Sequence, residues 1–280
     1  MGFRSETRRD RALSYVILFL AVVSCSPDSG SGLEGPVGCE KKEELPRATI
    51  ATFNIHAGVG RDGKRDLNRI AVTLRGTDLV GLQEVDNGRL RSGFANQARS
   101  IAAALGHRYW QHFAVEDYWP FGAYGLAASS SFPVLASTTV DLPIVEGKPR
   151  RRLAWIKVLV GCRPLHVFLA HLTRADDPSV ASRNPQTYAV WWRISEKLKD
   201  SNEPAILMGD FNAGRESESL MWLRKRMFDV IESQGLQRSD LTLLDRIFVT
   251  GNITILKAEV RDNPASDHPA IVATLQLNAH

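Results

Sequence analysis

A chain of 280 residues, 44% apolar and 24% charged, has the composition of a globular protein, which excludes a disordered or fibrous one. A folded body of about 240 residues buries about 70–75% of its unfolded surface, so it needs no disulfide framework or structural metal, and any metal is there for chemistry. The formal net charge is +4, but Arg4, Arg8, Arg9 and Arg11 against Glu6 and Asp10 place two of those charges in the first 25 residues, and the near-neutral remainder carries no global field that argues for nucleic acid.

In chain order, the first feature is a leader. The arginines precede an apolar run over residues 13–23, long enough for the core of a signal peptide and too short to span a bilayer, which takes about 20 residues. Val22-Val23-Ser24-Cys25 resembles a bacterial lipobox, in which a cysteine after the cleavage site receives lipid. This predicts a signal peptide over residues 1–24, lipidation of Cys25, and an exported protein anchored to a bacterial membrane on its periplasmic or cell-surface side. A plain secretory signal with an incidental cysteine is the alternative. Residues 26–38, SPDSGSGLEGPVG, are too poor in apolar residues to fold and read as a tether within a segment spanning 25–46. Cys39 and Cys162 could pair in an oxidising compartment or stay free, since sequence does not place their Cα atoms.

From 47 to 280 we read one domain. Residues 49–55, 79–85, 154–160, 165–171, 205–210, 244–249 and 270–275 are apolar, β-branched runs that predict strands. Leu67, Ile70, Ala71 and Leu74 fall at helical spacing, Ile101, Ala104 and Leu105 continue a similar stripe, and residues 184–199 form a third helix whose Trp191 and Trp192 are read as core. Alternation of strands and helices at this size indicates a layered α/β protein.

Polar residues stand at or just beyond the ends of these apolar runs: Asn54 and His56, Gln83 and Glu84, His171, Asp210 and Asn212, Asp245, and Asp267-His268. Rigid strands can hold such tips around one pocket. Glu84 and Asp267, with the Asn54 amide oxygen, would suit a hard divalent cation such as Mg²⁺, which takes oxygen ligands and keeps several waters. Zinc-type Cys/His spacing and a glycine-rich phosphate loop are both missing from the sequence. Each residue alone has a plainer explanation: Asn54 and Asn212 close turns, Glu84 faces water, Asp245 pairs with Arg246 at the surface, and His171 is a hydrogen-bonded core residue. Their joint order weakens those explanations.

The series TFNIH (52–56), GLQEV (81–85), FLAHL (168–172), GDFNA (209–213), LDRIFV (244–249) and SDHPA (266–270) resembles the motifs of the endonuclease/exonuclease/phosphatase superfamily, which includes deoxyribonuclease I. The resemblance implies a four-layer sandwich of two packed β-sheets flanked by helices, with the site at one edge. It also implies roles. Glu84 is the main metal ligand, with Asn54 and Asp267 in support. Asp210 orients and deprotonates the attacking water, and Asn212 fixes that water or a phosphate oxygen. His268 contacts the scissile phosphate with Asp245 holding its ring, and His171 is a second phosphate-binding group. The cofactor implied is Mg²⁺, with Mn²⁺ as an option.

The chain departs from the family pattern over residues 124–134, where Leu126 replaces an Asn and Ser131 an Arg of a Gly-Asn-Ala-Ile-Leu-Ser-Arg-Phe-Pro-Ile type strand. Tyr124 at the start of that segment, Arg151 within the run Arg150-Arg151-Arg152, and Arg183 of an Arg-x-x-Gln pattern with Gln186 are the candidate substrate contacts. The expectation is a monomeric phosphoesterase, by preference a phosphodiesterase. Its substrate is left open among nucleic acid, a phospholipid or sphingolipid headgroup, and a small phosphoester. A binding lipoprotein without turnover is the alternative of another class; it would be expected to have lost at least one of Glu84, Asp210, Asn212 and His268, and all four are present.

Overall fold

The order of elements follows from which runs are apolar on both faces. The computed structural model describes residues 44–174, 184–236 and 243–278, all within one compact unit, Cys39–His280. Cys25, Cys39, Arg183, the leader and most of the tether lie outside the described residues; Cys162 is disulfide-bonded.

In chain order the strands are β1 (Arg47–Asn54), β2 (Leu79–Asn87), β3 (Tyr109–Asp117), β4 (Ala123–Ser130), β5 (Val134–Asp141) and β6 (Arg152–Val160). They continue with β7 (Arg163–His171), β8 (Ala205–Asp210), β9 (Phe228–Asp229), β10 (Asp245–Val249), β11 (Ile253–Arg261) and β12 (Ala270–Leu277). One six-stranded sheet runs β11-β12-β1-β2-β4-β3 and the other β5-β6-β7-β8-β10-β9. Both sheets are mixed: β1 and β2 are parallel, as are β7 and β8, and the remaining pairs are antiparallel. Helices α1 (Leu67–Thr73), α2 (Gln97–Leu105), α3 (Asn184–Leu198), α4 (Glu218–Arg224) and α5 (Val230–Ser233) complete the fold. This is the expected sandwich, layered helix, sheet, sheet, helix.

Strand periodicity explains the layering. In β7, Val167 and Leu169 point into the core between the sheets with Ile206, Met208 and Ile271. Phe168 and Ala170 point the other way and pack beneath Val190 and Ile194 of α3 and Leu220 and Leu223 of α4. Ala51, Phe53, Val80 and Leu82 likewise meet Ile70 and Leu74 of the α1 segment and Ile101 of α2. Asp66 and Asn96 cap α1 and α2 by accepting backbone N–H groups, as short polar side chains do at helix starts.

Five strands escape the reading of apolar runs, and each for a reason of burial. β3 and β5 are sheet edges with mostly exposed or half-buried side chains, and β11 is an edge of the same kind. β9 is two residues long. β4 is internal, but apart from Tyr124 and Leu126 it is Ala, Gly and Ser, so only the likeness of residues 124–134 to a family strand, and no apolar alternation, marks it. The Trp pair divides: Trp191 packs partly buried against the α3 core, whereas Trp192 is exposed with the Arg193 guanidinium 4.4 Å over its ring.

Gly81 lets the two sheets approach, and Gly209 lets the neighbouring strands β7 and β8 approach within one sheet. A Cβ on Gly81 would lie 2.3 Å from Leu169 Cδ2 and 2.9 Å from Met208 Cε across the sandwich, and one on Gly209 would lie 1.8 Å from the Ala170 carbonyl oxygen. Gly209 also has φ +146°, a conformation L residues rarely adopt. Side-chain ends can yield and backbone cannot. Gly81→Ala should therefore cost about 1–3 kcal/mol and Gly209→Ala more. Urea denaturation of both variants checks the order, and equal midpoints would contradict it.

Candidate active site

The register of the sheets brings the polar ends of the strands to one edge. Asn54 ends β1, paired with Gln83 of β2, and Glu84 follows in the same strand. In the second sheet Asp210 of β8 stands opposite both His171 of β7 and Asp245 of β10. The 266–268 loop leads into β12, antiparallel to β1, and so reaches the same edge.

Local backbone distortions aim the side chains. The β2–β4 ladder is irregular between Leu82 and Val85, and Glu84 takes φ 59°; a bulge of this kind re-aims a side chain. Gln83, by contrast, is buried and bonded to Thr52. Asn212 has φ 48° and its backbone N–H donates to Asp210 Oδ1 at 2.8 Å, a turn suited to the left-handed tolerance of Asn. Its side-chain nitrogen donates to the Leu172 carbonyl at 2.9 Å. His56 at φ 45° closes the β1 end.

Asn54 is the junction. Fully buried, it donates from Nδ2 to Glu84 Oε1 at 3.1 Å and to Asp210 Oδ2 at 3.1 Å, while its Oδ1 accepts from the His56 N–H at 3.1 Å. One amide group therefore links carboxylates from the two sheets. Ser266, missed in the sequence reading although it lies in the SDHP segment, donates to the Asn54 carbonyl at 2.7 Å and so docks the loop that carries Asp267 and His268. Asp267 itself is exposed at the rim, 3.6 Å from His56 Nδ1.

Two histidines flank Asp210 in different charge states. His268 Nδ1 lies 2.6 Å from Asp245 Oδ2, and its Nε2 is 3.9 Å from Asp210 Oδ2. Burial lowers the affinity of the His268 ring for a proton, but the Asp245 hydrogen bond and charge outweigh it and raise the pKa to about 9. Burial pushes the Asp245 carboxyl up to about 7, and the His268 bond opposes that shift. The proton of the pair belongs on the imidazole.

His171 is buried, with Nε2 3.4 Å from Asp210 Oδ2 and Nδ1 3.1 Å from Arg151 Nη1. Burial, with the nearby Arg151 cation, lowers its pKa to about 4 against the pull of Asp210. Because a guanidinium can only donate, His171 Nδ1 must accept, which leaves the ring proton on Nε2, facing Asp210.

Arg151 is the member of its run that reaches the cleft. Arg150 and Arg152 both pair with Asp141, at 3.2 and 2.9 Å, and Arg151 alone turns to His171. It lines a cleft of about 370 Å³ with Glu84, His171, Tyr124, His56, Arg65, Arg91, Glu116 and Tyr118. Burial and then the Glu84 charge raise the Tyr124 hydroxyl above its ordinary value, so it stays protonated. Arg65, Arg91 and Tyr118 come from loops and a strand end far from the motifs and were not foreseen. Asp245 is not the surface ion pair considered as its plainer explanation: it is fully buried, and its neighbour Arg246 lies instead 3.7 Å from Asp229. Gln186 is a clasp, bonded to Thr173 and to the Pro143 carbonyl.

Among the described residues no three His, Cys, Asp or Glu side chains form an ion cage. The oxygen donors at hand are the Glu84 and Asp267 carboxylates; the Asn54 amide turns its NH₂ to Glu84 and its oxygen to the His56 N–H. That sparse, sulfur-free set fits a hard cation that completes its shell with water and substrate oxygens.

Residues 51–268 match the model described as the Endonuclease/Exonuclease/phosphatase family. No curated protein matches the chain. Among solved structures, similar ones include an endonuclease/exonuclease/phosphatase from Beutenbergia cavernae, 23% identical over 84% of this chain and 72% of that one with a TM-score of 0.69. The mannosyl-6-phosphatase of Bacteroides thetaiotaomicron is 18% identical over 81% and 99%, with a TM-score of 0.62. The catalytic domain of human nocturnin with bound sulfate is 17% identical over 83% and 94%, with a TM-score of 0.68. At these identities the likeness to the solved structures establishes the fold.

The dyad has a direct test. In metal-free protein the His268 ring should titrate near 9 by NMR. In Asp245→Asn, where burial remains and this anionic acceptor is gone, it should fall well below the wild-type value. A wild-type value at or below 6.5 would remove the ion pair.

Proposed function

This chain belongs to the endonuclease/exonuclease/phosphatase family, whose members hydrolyse phosphoesters, and from that membership we propose that it is a divalent-metal-dependent phosphodiesterase that works by in-line attack of an activated water. The observation that carries the reading is the placement of Asp210 between a cationic His268 and a neutral His171, on an amide shared with Glu84. Such a group of residues separates proton acceptance from charge stabilisation.

In this mechanism the phosphate sits over the edge where Glu84, His171 and His268 converge. Asp210 Oδ2 orients the water and takes its proton. His268, held as imidazolium by Asp245, donates from Nε2 to a non-bridging phosphate oxygen as negative charge builds there. His171 cannot compete for the water's proton, because its acceptor nitrogen is occupied by Arg151 and its Nε2–H holds Asp210 in place. Asn212 sits beside Asp210 through its backbone N–H, where its side chain can meet the water or a phosphate oxygen. Glu84 and Asp267 would hold the cation, Mg²⁺ or Mn²⁺; the Asn54 amide oxygen, expected to join them, accepts instead from the His56 N–H while its NH₂ faces Glu84. When bound, the cation supplies charge neutralisation on the phosphoryl oxygens.

A screen against bis-p-nitrophenyl phosphate, plasmid DNA and sphingomyelin, with Mg²⁺ or Mn²⁺ and with EDTA, tests this. Turnover of at least one diester with metal and none with EDTA is expected, and His268→Ala should lower it about 10²–10⁴-fold with the fold unchanged by circular dichroism. No turnover of any substrate would favour a binding protein instead.

The lipobox-like Val22-Val23-Ser24-Cys25 further supports an exported enzyme held to a bacterial membrane through lipidated Cys25. Cys25→Ser should then move the protein from the membrane to the soluble fraction. Unchanged membrane association would contradict the anchor.

A further inference from the structure

The cleft opens beside the most exposed apolar group of side chains at this edge. Tyr118, which lines the cleft, begins the turn between β3 and β4, and the next residues, Trp119 and Phe121, are 89% and 55% exposed. Leu90 and Phe94, in the turn after β2, are 65% and 60% exposed. The two turns are neighbours. Asn87 pairs with Ala123 and bridges to Asn96, a Cβ on Gly88 would touch Gly122 Cα at 3.6 Å, and a Cβ on Gly122 would lie 2.2 Å from the Asn87 carbonyl oxygen.

Three arginines border this apolar tip, alongside Glu116, which accepts from the Tyr118 hydroxyl. Arg89 lies 3.3 Å over the Tyr118 ring, Arg91 is forked onto buried Asp86 at 2.7 and 2.8 Å, and Arg65 donates to the Arg91 carbonyl. The guanidinium groups of Arg91 and Arg65 are fixed by protein partners, so these two present their remaining N–H groups without first being ordered. Trp and Tyr beside these arginines suit an apolar phase bordered by phosphates, the chemistry of a phospholipid interface. Contiguous exposed apolar side chains mark an interaction surface. Here they project from two paired turns, and aliphatic Leu90 in the same turn as Phe94 argues against a stacking platform for nucleotides.

We propose that the 90–94 and 118–121 turns form a docking surface that inserts into a phospholipid bilayer and presents the cleft to phosphodiesters at the lipid headgroup level. The substrate half of this inference rests on the phosphodiesterase reading; the docking half does not.

Hydrogen exchange on the full chain, with and without vesicles of phosphatidylcholine and phosphatidylglycerol, reads the docking directly. Protection of residues 88–94 and 117–122 by vesicles is expected, with its loss in Trp119→Ser/Phe121→Ser. Turnover of sphingomyelin in vesicles should fall about tenfold in that double variant, while soluble bis-p-nitrophenyl phosphate is cleaved within about twofold of wild type, which also shows that the variant folds. No protection by vesicles overturns the inference. So does protection by an oligonucleotide in place of vesicles, or protection that depends only on protein concentration, which would mark a stacking platform or a self-association face. If vesicles protect the turns but no diester is hydrolysed, the docking surface stands and the enzymatic reading falls.

Discussion

Everything at the site depends on one amide bridging two carboxylates. Glu84 and Asp210 belong to different sheets, and like charges so placed repel unless a donor lies between them. The Asn54 NH₂ group donates to both at 3.1 Å, and it can do so only because the sheets approach closely where Gly81 faces Leu169 and Met208. The packing of the sandwich is thus a condition of the chemistry. The same closeness desolvates Asp210 and Asp245 and lets small differences in hydrogen bonding set opposite charge states on two histidines.

Those opposite states show how environment divides labour between identical side chains. His268 meets a carboxylate at Nδ1 and becomes a cation; His171 meets a guanidinium at Nδ1 and stays neutral. Burial alone would drive both rings neutral. The partner at one nitrogen decides the outcome, because in a buried site a fixed charge interacts more strongly than it would in water.

The sequence made legible what is apolar on both faces and what is short and polar at its ends. The seven internal or near-internal strands and three helices carry apolar runs that survive without context, and Asn54, Glu84, Asp210, Asp245 and His268 stand in compact motifs at their tips. The edge strands β3, β5 and β11 were hidden because half-exposed residues have no obligatory pattern, and β4 because Ala, Gly and Ser pack by smallness. Arg65, Arg91 and Tyr118 were hidden for a different reason. They enter the cleft from turns whose paths are set by tertiary contact, so no spacing along the chain announces them. The state of His171 was equally out of reach, since it follows from which nitrogen Arg151 touches.

Strand β12 carries a consequence for timing. It pairs with β1, the earliest strand, along six consecutive residue pairs, and the loop that leads into it brings His268 and the Ser266 clasp. A nascent chain that has not yet reached this strand lacks both the closing partner of the first sheet and the cation of the dyad. The candidate site is therefore complete only when the two ends of the domain have met.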